Sequence, residues 1–182
     1  MRIQGKIALM AVLSLTVAGL IAPAAAAHAG SAPEPQAELV PAWDRPGPQG
    51  RTTYEDGSPT AEDQRAAAPR WRCFLYVSDP EFEKHDGRWH IEGTGRQSCN
   101  GAGYAPQGPR LTLQRYLGFG IWRNVFRTTI AWSRGGWAET RTAWECTGTG
   151  SEEYRWVVDG FAQGVSRARK NAYSLNYLRV IC

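Results

Sequence analysis

His90-Ile-Glu92 sets an imidazole and a carboxylate two residues apart, which on an extended strand puts both side chains on one side. Such a pair can pass a proton, so His90 and Glu92 are the candidates for acid–base work in a small hydrolase. The spacing is also half of a zinc-deaminase signature, but the P-C-x-x-C half does not occur. Glu81 with Glu83, and Glu152 with Glu153, are paired carboxylates of the kind a glycosidase uses. Both pairs fall in expected loops or at strand starts, where solvated charge is the ordinary explanation. Gly164-Val-Ser166-Arg-Ala168 falls one glycine short of the nucleophile elbow, and Ser166 reads as a loop serine. The glycine pairs at 93/95, 101/103, 118/120 and 148/150 lack the third glycine of a dinucleotide fingerprint, and there is no P-loop. Neither a nucleotide nor a cofactor is expected.

Binding chemistry is the stronger theme. Arg123 and Arg127 lie on the polar side of an expected strand, and Arg167, Arg169 and Lys170 cluster in an expected last loop. Such a basic patch suits an anionic polymer. Trp137 follows Gly135-Gly136 and is expected to be exposed, where an indole can stack on a sugar or anchor a protein contact. Trp71, Trp89, Trp122, Trp132, Trp144 and Trp156 fit inward strand positions. The leading expectation is a non-catalytic domain that binds a cell-wall or matrix polysaccharide, or another extracellular protein, through Trp137, Arg167, Arg169 and Lys170. The alternatives are a small hydrolase using His90 and Glu92, and an inhibitor of an extracellular enzyme.

These side chains need a rigid frame, and the four cysteines offer one. Three pairings are possible, of which Cys73–Cys99 and Cys146–Cys182 are favoured because each brackets a local antiparallel excursion. No C-x-x-C occurs, and the C-terminal part has only His85 and His90, so a thiolate metal site is not expected.

The hydrophobic period is two. Trp71-Cys73-Leu75-Val77, Leu111-Leu113 and Tyr154-Trp156-Val158 alternate with polar residues, as half-buried strands do. About seven strands are expected, at 71–77, 88–99, 110–117, 121–133, 138–147, 153–162 and 173–182. They predict an all-β fold, a compact antiparallel sandwich or barrel whose topology stays open. Gly118 and Gly120 predict a bend, Arg134-Gly135-Gly136 a hairpin turn, and Ser78-Asp79-Pro80-Glu81 one helical turn.

Composition divides the 182 residues. Arg2 and Lys6, the apolar run Ile7–Ala22 and Ala27-His28-Ala29 have the three-part form of an export signal over 1–29. Residues 30–69 hold seven of the eleven prolines and a net acidic charge, and read as a disordered linker. Residues 70–182 hold seven of the eight tryptophans and all four cysteines, enough for one disulfide-stapled domain. No later apolar run is long enough for a membrane span, so a secreted protein is expected. The Ala/Arg/Gly-rich usage, the A-x-A exit and the ending Ser174-Leu-Asn-Tyr-Leu-Arg-Val-Ile-Cys182 resemble small secreted actinobacterial proteins of the Streptomyces type. That resemblance covers about the last 110 residues, and implies secretion without implying a reaction.

Overall fold

A computed structural model describes residues 35–55, 70–147 and 150–182, with the side chains of 165–168 outside the description. The expected export signal at 1–29 and residues 56–69 of the arm lie outside the described residues. The strands are β1 (Ala37–Pro41), β2 (Arg51–Glu55), β3 (Trp71–Val77), β4 (Glu81–His85), β5 (Arg88–Gly101), β6 (Gly108–Tyr116), β7 (Trp122–Arg127), β8 (Trp137–Glu145), β9 (Ser151–Ala162), β10 (Val165–Tyr173) and β11 (Asn176–Ile181). Among the described residues there is no helix long and apolar enough to cross a membrane.

Two antiparallel sheets result. One runs β1-β11-β9-β6-β7, with β10 also paired to β9; the other runs β2-β3-β5-β4, with β8 paired to β5. β3 shows why they pack face to face. Trp71, Cys73, Leu75 and Val77 are buried while Arg72, Phe74 and Tyr76 face outward, the alternation a pleated strand imposes. Leu75, Val77 and Ile91 meet Leu111, Leu113, Tyr154, Trp156 and Val158 from the opposite sheet in one core. Packing is close enough to dictate a glycine. A Cβ on Gly93 would fall inside the Trp156 indole, whose Nε1 donates to the Glu92 carbonyl at 2.6 Å.

Both disulfides have the favoured pairing. Cys73 and Cys99 stand directly opposite on β3 and β5, and Cys146–Cys182 joins the segment after β8 to the end of β11, tying one sheet to the other. Disulfides of this kind persist in an oxidising, extracellular-type environment.

Four strands were not expected, and each absence has a cause. The 30–69 arm is not wholly a disordered linker: Ala37–Pro41 pairs with β11 and Arg51–Glu55 with β3. Composition measures what a segment can bury by itself, whereas these short strands complete edges that the rest of the fold supplies. β4 is mostly charged and exposed, so it carries no hydrophobic alternation. β10 replaces the expected basic loop, with a register shift between Val165 and Arg169.

Two local expectations also change. Arg134-Gly135-Gly136 is not a hairpin turn, because β7 and β8 belong to different sheets and residues 128–136 carry the chain between them. Gly136 serves close approach there: a Cβ would lie 2.7 Å from the Cys99 carbonyl oxygen. Residues 78–80 form no helical turn. Asp79 instead accepts hydrogen bonds from the Asn176 backbone N at 2.8 Å and from its Nδ2 at 2.6 Å, holding the start of β11.

The crossing from β1 to β2, residues 42–50, carries a second cluster. Arg155 of β9 points away from the core yet is only 6% exposed at its side chain. Its guanidinium lies 4.0 Å from the Trp122 ring centroid, and donates to Asp44 Oδ2 at 3.0 Å and to Gln114 Oε1 at 2.8 Å. Asp44 also accepts from Trp122 Nε1 at 2.8 Å and from the Tyr177 hydroxyl. Trp43 stacks on Trp122 and meets Tyr116 edge-on. The crossing segment is thus fastened through one buried ion pair and one indole.

Candidate ligand-binding groove

The outer face of the β2-β3-β5-β8 sheet carries a groove of about 700 Å³. Register builds it. Thr53, Phe74, Ser98 and Trp137 form one cross-strand row, and Arg51, Tyr76, Arg96 and Glu139 form the next. Phe74 and Trp137 are two strands apart, about 10 Å at ordinary strand spacing. Ser98 between them is too small to fill the gap, so the two rings become walls and the serine hydroxyl part of the floor. Phe74, Tyr76 and Trp137 are each more than 40% exposed. Three aromatic rings gathered on one side of a sheet thus leave much of their surface in water.

The polar rim is held in place. Arg96 donates from Nε to Glu139 Oε2 at 2.6 Å, with its guanidinium 5.8 Å from the Tyr76 ring centroid. Arg141 binds the other oxygen of Glu139 at 2.7 Å. The hydrogen bond from Arg96 chiefly holds the Glu139 carboxyl below its ordinary range, Arg141 adding to it against the opposing effect of burial. Arg96 therefore keeps its orientation, with donors available at the groove edge.

The residues singled out by sequence are partly brought together. Trp137 is exposed and lines the groove, whereas Arg169 and Lys170 are exposed on β10 and are not among its lining residues. The Arg167 side chain lies outside the described residues, as does that of Ser166. His90 and Glu92 share the outer face of β5, but the Glu92 carboxylate meets His85 Nε2, while His90 Nδ1 lies 3.1 Å from the Arg88 carbonyl. The imidazole–carboxylate pair is thus formed with His85, which stands opposite Arg88 on β4 and reaches along the sheet to Glu92, and His90 is not the partner. Among the described residues, no group of three or more His, Cys, Asp or Glu side chains is arranged to hold a metal ion. Of the expected core tryptophans, Trp71 and Trp156 are fully buried and Trp89, Trp122 and Trp144 partly so, but Trp132 is exposed beside Phe161. It falls in the irregular crossing after β7, where strand alternation no longer applies.

Sequence reasoning missed Phe74 and Tyr76. The signal was present in Trp71-Arg-Cys-Phe-Leu-Tyr-Val77, a strand with aromatic residues on its outward side as well as apolar residues on its inward side. The chain is a disulfide-stapled antiparallel β-sandwich with an aromatic groove on one sheet. Comparison with protein-family models, with curated proteins and with solved structures finds no match.

Proposed function

We propose that this is a secreted, non-catalytic binding domain that holds a polysaccharide of the cell wall or extracellular matrix in the groove between Phe74 and Trp137. The observation that carries the reading is the cross-strand row Thr53–Phe74–Ser98–Trp137 flanked by Arg51, Tyr76 and Arg96. A sugar ring has an apolar C–H face and a rim of hydroxyls. Aromatic faces accept the first by stacking, and Arg, Ser and Thr side chains bond the second. The two disulfides, together with the export signal read from residues 1–29, support action outside the cell.

The test is retention on insoluble cell-wall and matrix glycans. The wild-type protein should be retained, and Trp137→Ala should weaken retention about 30-fold, the scale of an aromatic anchor worth about 2 kcal/mol. Phe74→Ala should act in the same direction, while Arg169→Gln should change little. Unaltered retention of Trp137→Ala would remove the groove from the argument. Capture of a soluble protein through Trp137, without glycan retention, would replace the polysaccharide by a protein ligand.

A further inference from the structure

The connection between β6 and β7 presents a second unexplained surface, on the other sheet from the groove. It reads Leu117-Gly118-Phe119-Gly120-Ile121. Phe119 is fully exposed, and Leu117 and Ile121 are about half exposed. The loop is nevertheless tightly built. Leu117 N donates to the Ile121 carbonyl at 2.9 Å, Ile121 N to the Gly118 carbonyl at 2.9 Å, and Gly120 N to the Tyr116 hydroxyl at 3.1 Å. Gly118, Phe119 and Gly120 all have positive φ, at 92°, 52° and 76°. Two of these positions have the residue that tolerates such a backbone. The third has a bulky aromatic side chain that pays for its conformation and buries nothing. Folding gives no reason for Phe119 to be there.

What lies behind the tip has an order. Immediately below it come Tyr116 and Trp122, paired across β6 and β7, with Trp43 stacked on Trp122 and half exposed. The next cross-strand pair is Arg115 with Arg123. Arg115 is engaged by Glu152 at 2.9 Å, whereas Arg123 is exposed and makes no ion pair among the described residues. From Gly93 to Ala138 the chain holds six arginines and no Asp or Glu, so neither strand of this ribbon supplies a negative charge. Apolar tip, then amphipathic aromatics, then cation is the sequence of environments met on leaving the hydrocarbon of a bilayer through its headgroups.

We propose that the Leu117–Ile121 tip inserts into a lipid surface carrying anionic headgroups, with Phe119 in the acyl boundary and Arg123 at the phosphates. A lipid occupant fits better than a folded protein because the tip is a narrow convex projection. Lipid closes around a projection of any outline, and the two strands of the ribbon bring arginines and no acid, while Glu152 and Asp44 behind them are engaged by Arg115 and Arg155, which suits negative headgroups.

The full chain after removal of any export segment should co-sediment with vesicles of phosphatidylcholine and phosphatidylglycerol at low salt, and more weakly with phosphatidylcholine alone. Phe119→Asp should weaken binding to the mixed vesicles by at least about tenfold, the loss expected from one fully exposed Phe that no longer leaves water. Phe119→Asn, whose side chain tolerates positive φ, should weaken it similarly while leaving the melting temperature unchanged or higher, which excludes unfolding as the cause. Arg123→Gln should weaken binding about fivefold on the mixed vesicles only. Trp137→Ala should leave vesicle binding intact, so failure here and failure of the groove are read separately. Absence of wild-type binding to either vesicle, or equal binding by Phe119→Asp, would overturn the proposal. So would a wild-type dimer in sedimentation velocity that Phe119→Asp dissolves without lipid, which would assign the tip to a second copy of the chain.

Discussion

Replacing Asp44 by Ala tests whether residues 42–50 belong to the fold. Asp44 is the acceptor for three donors, Arg155 Nη1, Trp122 Nε1 and the Tyr177 hydroxyl, and the Arg155 side chain is almost fully buried. Breaking a buried ion pair from one side costs about 3–5 kcal/mol, because the remaining charge stays out of water. Two features reduce that figure here. The Asp44 side chain is 19% exposed, so water can reach its place, and Arg155 keeps Gln114 and the faces of Trp122 and Tyr173. A loss of about 3 kcal/mol follows, which for a domain of this size lowers the melting temperature by about 6–12 °C. Urea unfolding followed by tryptophan fluorescence measures it directly, since Trp43 and Trp122 sit in the cluster. Asp44→Asn, which keeps one acceptor oxygen, should lose about half as much. In Asp44→Ala/Arg155→Met the stranded charge is gone, so the double variant should be less destabilised than the sum of its single changes. If Asp44→Ala unfolds within about 0.5 kcal/mol of wild type, the crossing segment is not fastened as described and the reasoning fails.

Gly93→Ala should destabilise by about 2–4 kcal/mol, since the added methyl displaces the Trp156 indole and its bond to the Glu92 carbonyl; near-wild-type urea unfolding would contradict it. Thiol titration of the native protein should find no free cysteine, and Cys146→Ser/Cys182→Ser should cost about 4 kcal/mol in the chain-entropy account of a 36-residue separation. Burial raises the pKa of Tyr54, Tyr154 and Tyr177 above the ordinary tyrosine range, that of Tyr177 to about 12 with help from Asp44. The unfolded chain therefore releases these protons first as pH rises. Their stabilising contribution is complete below about pH 10 and is lost as pH rises above it, that of Tyr177 by about pH 12, so stability measured by urea unfolding should fall with rising pH from about 10.

Seven strands and both disulfides were legible because half-buried sheet writes a period of two and paired cysteines close local excursions. The strands from the proline-rich region were not. β1 and β2 draw their stability from edges formed by residues far along the chain, and no local window contains both partners. Asp44 and Arg155 are separated by 111 positions, so their ion pair left no local sign either. In the candidate site, Trp137 was visible because it directly follows Gly135-Gly136. Its companions Phe74 and Tyr76 needed the register of β3 against β5 to bring them into the same rows. His90 and Glu92 show the converse: adjacency within one strand suggested a pair that cross-strand geometry gave to His85.

The chain is made from its N-terminus, yet β1 closes against β11, more than 130 positions further along. The first sheet therefore cannot be sealed before residues 176–180 have been made. Until Asn176–Ile181 arrives, the partner edge for β1 does not exist, and Cys146 has no Cys182 to meet. Completion of that sheet and locking of the second staple thus both wait on the same short stretch, residues 176–182.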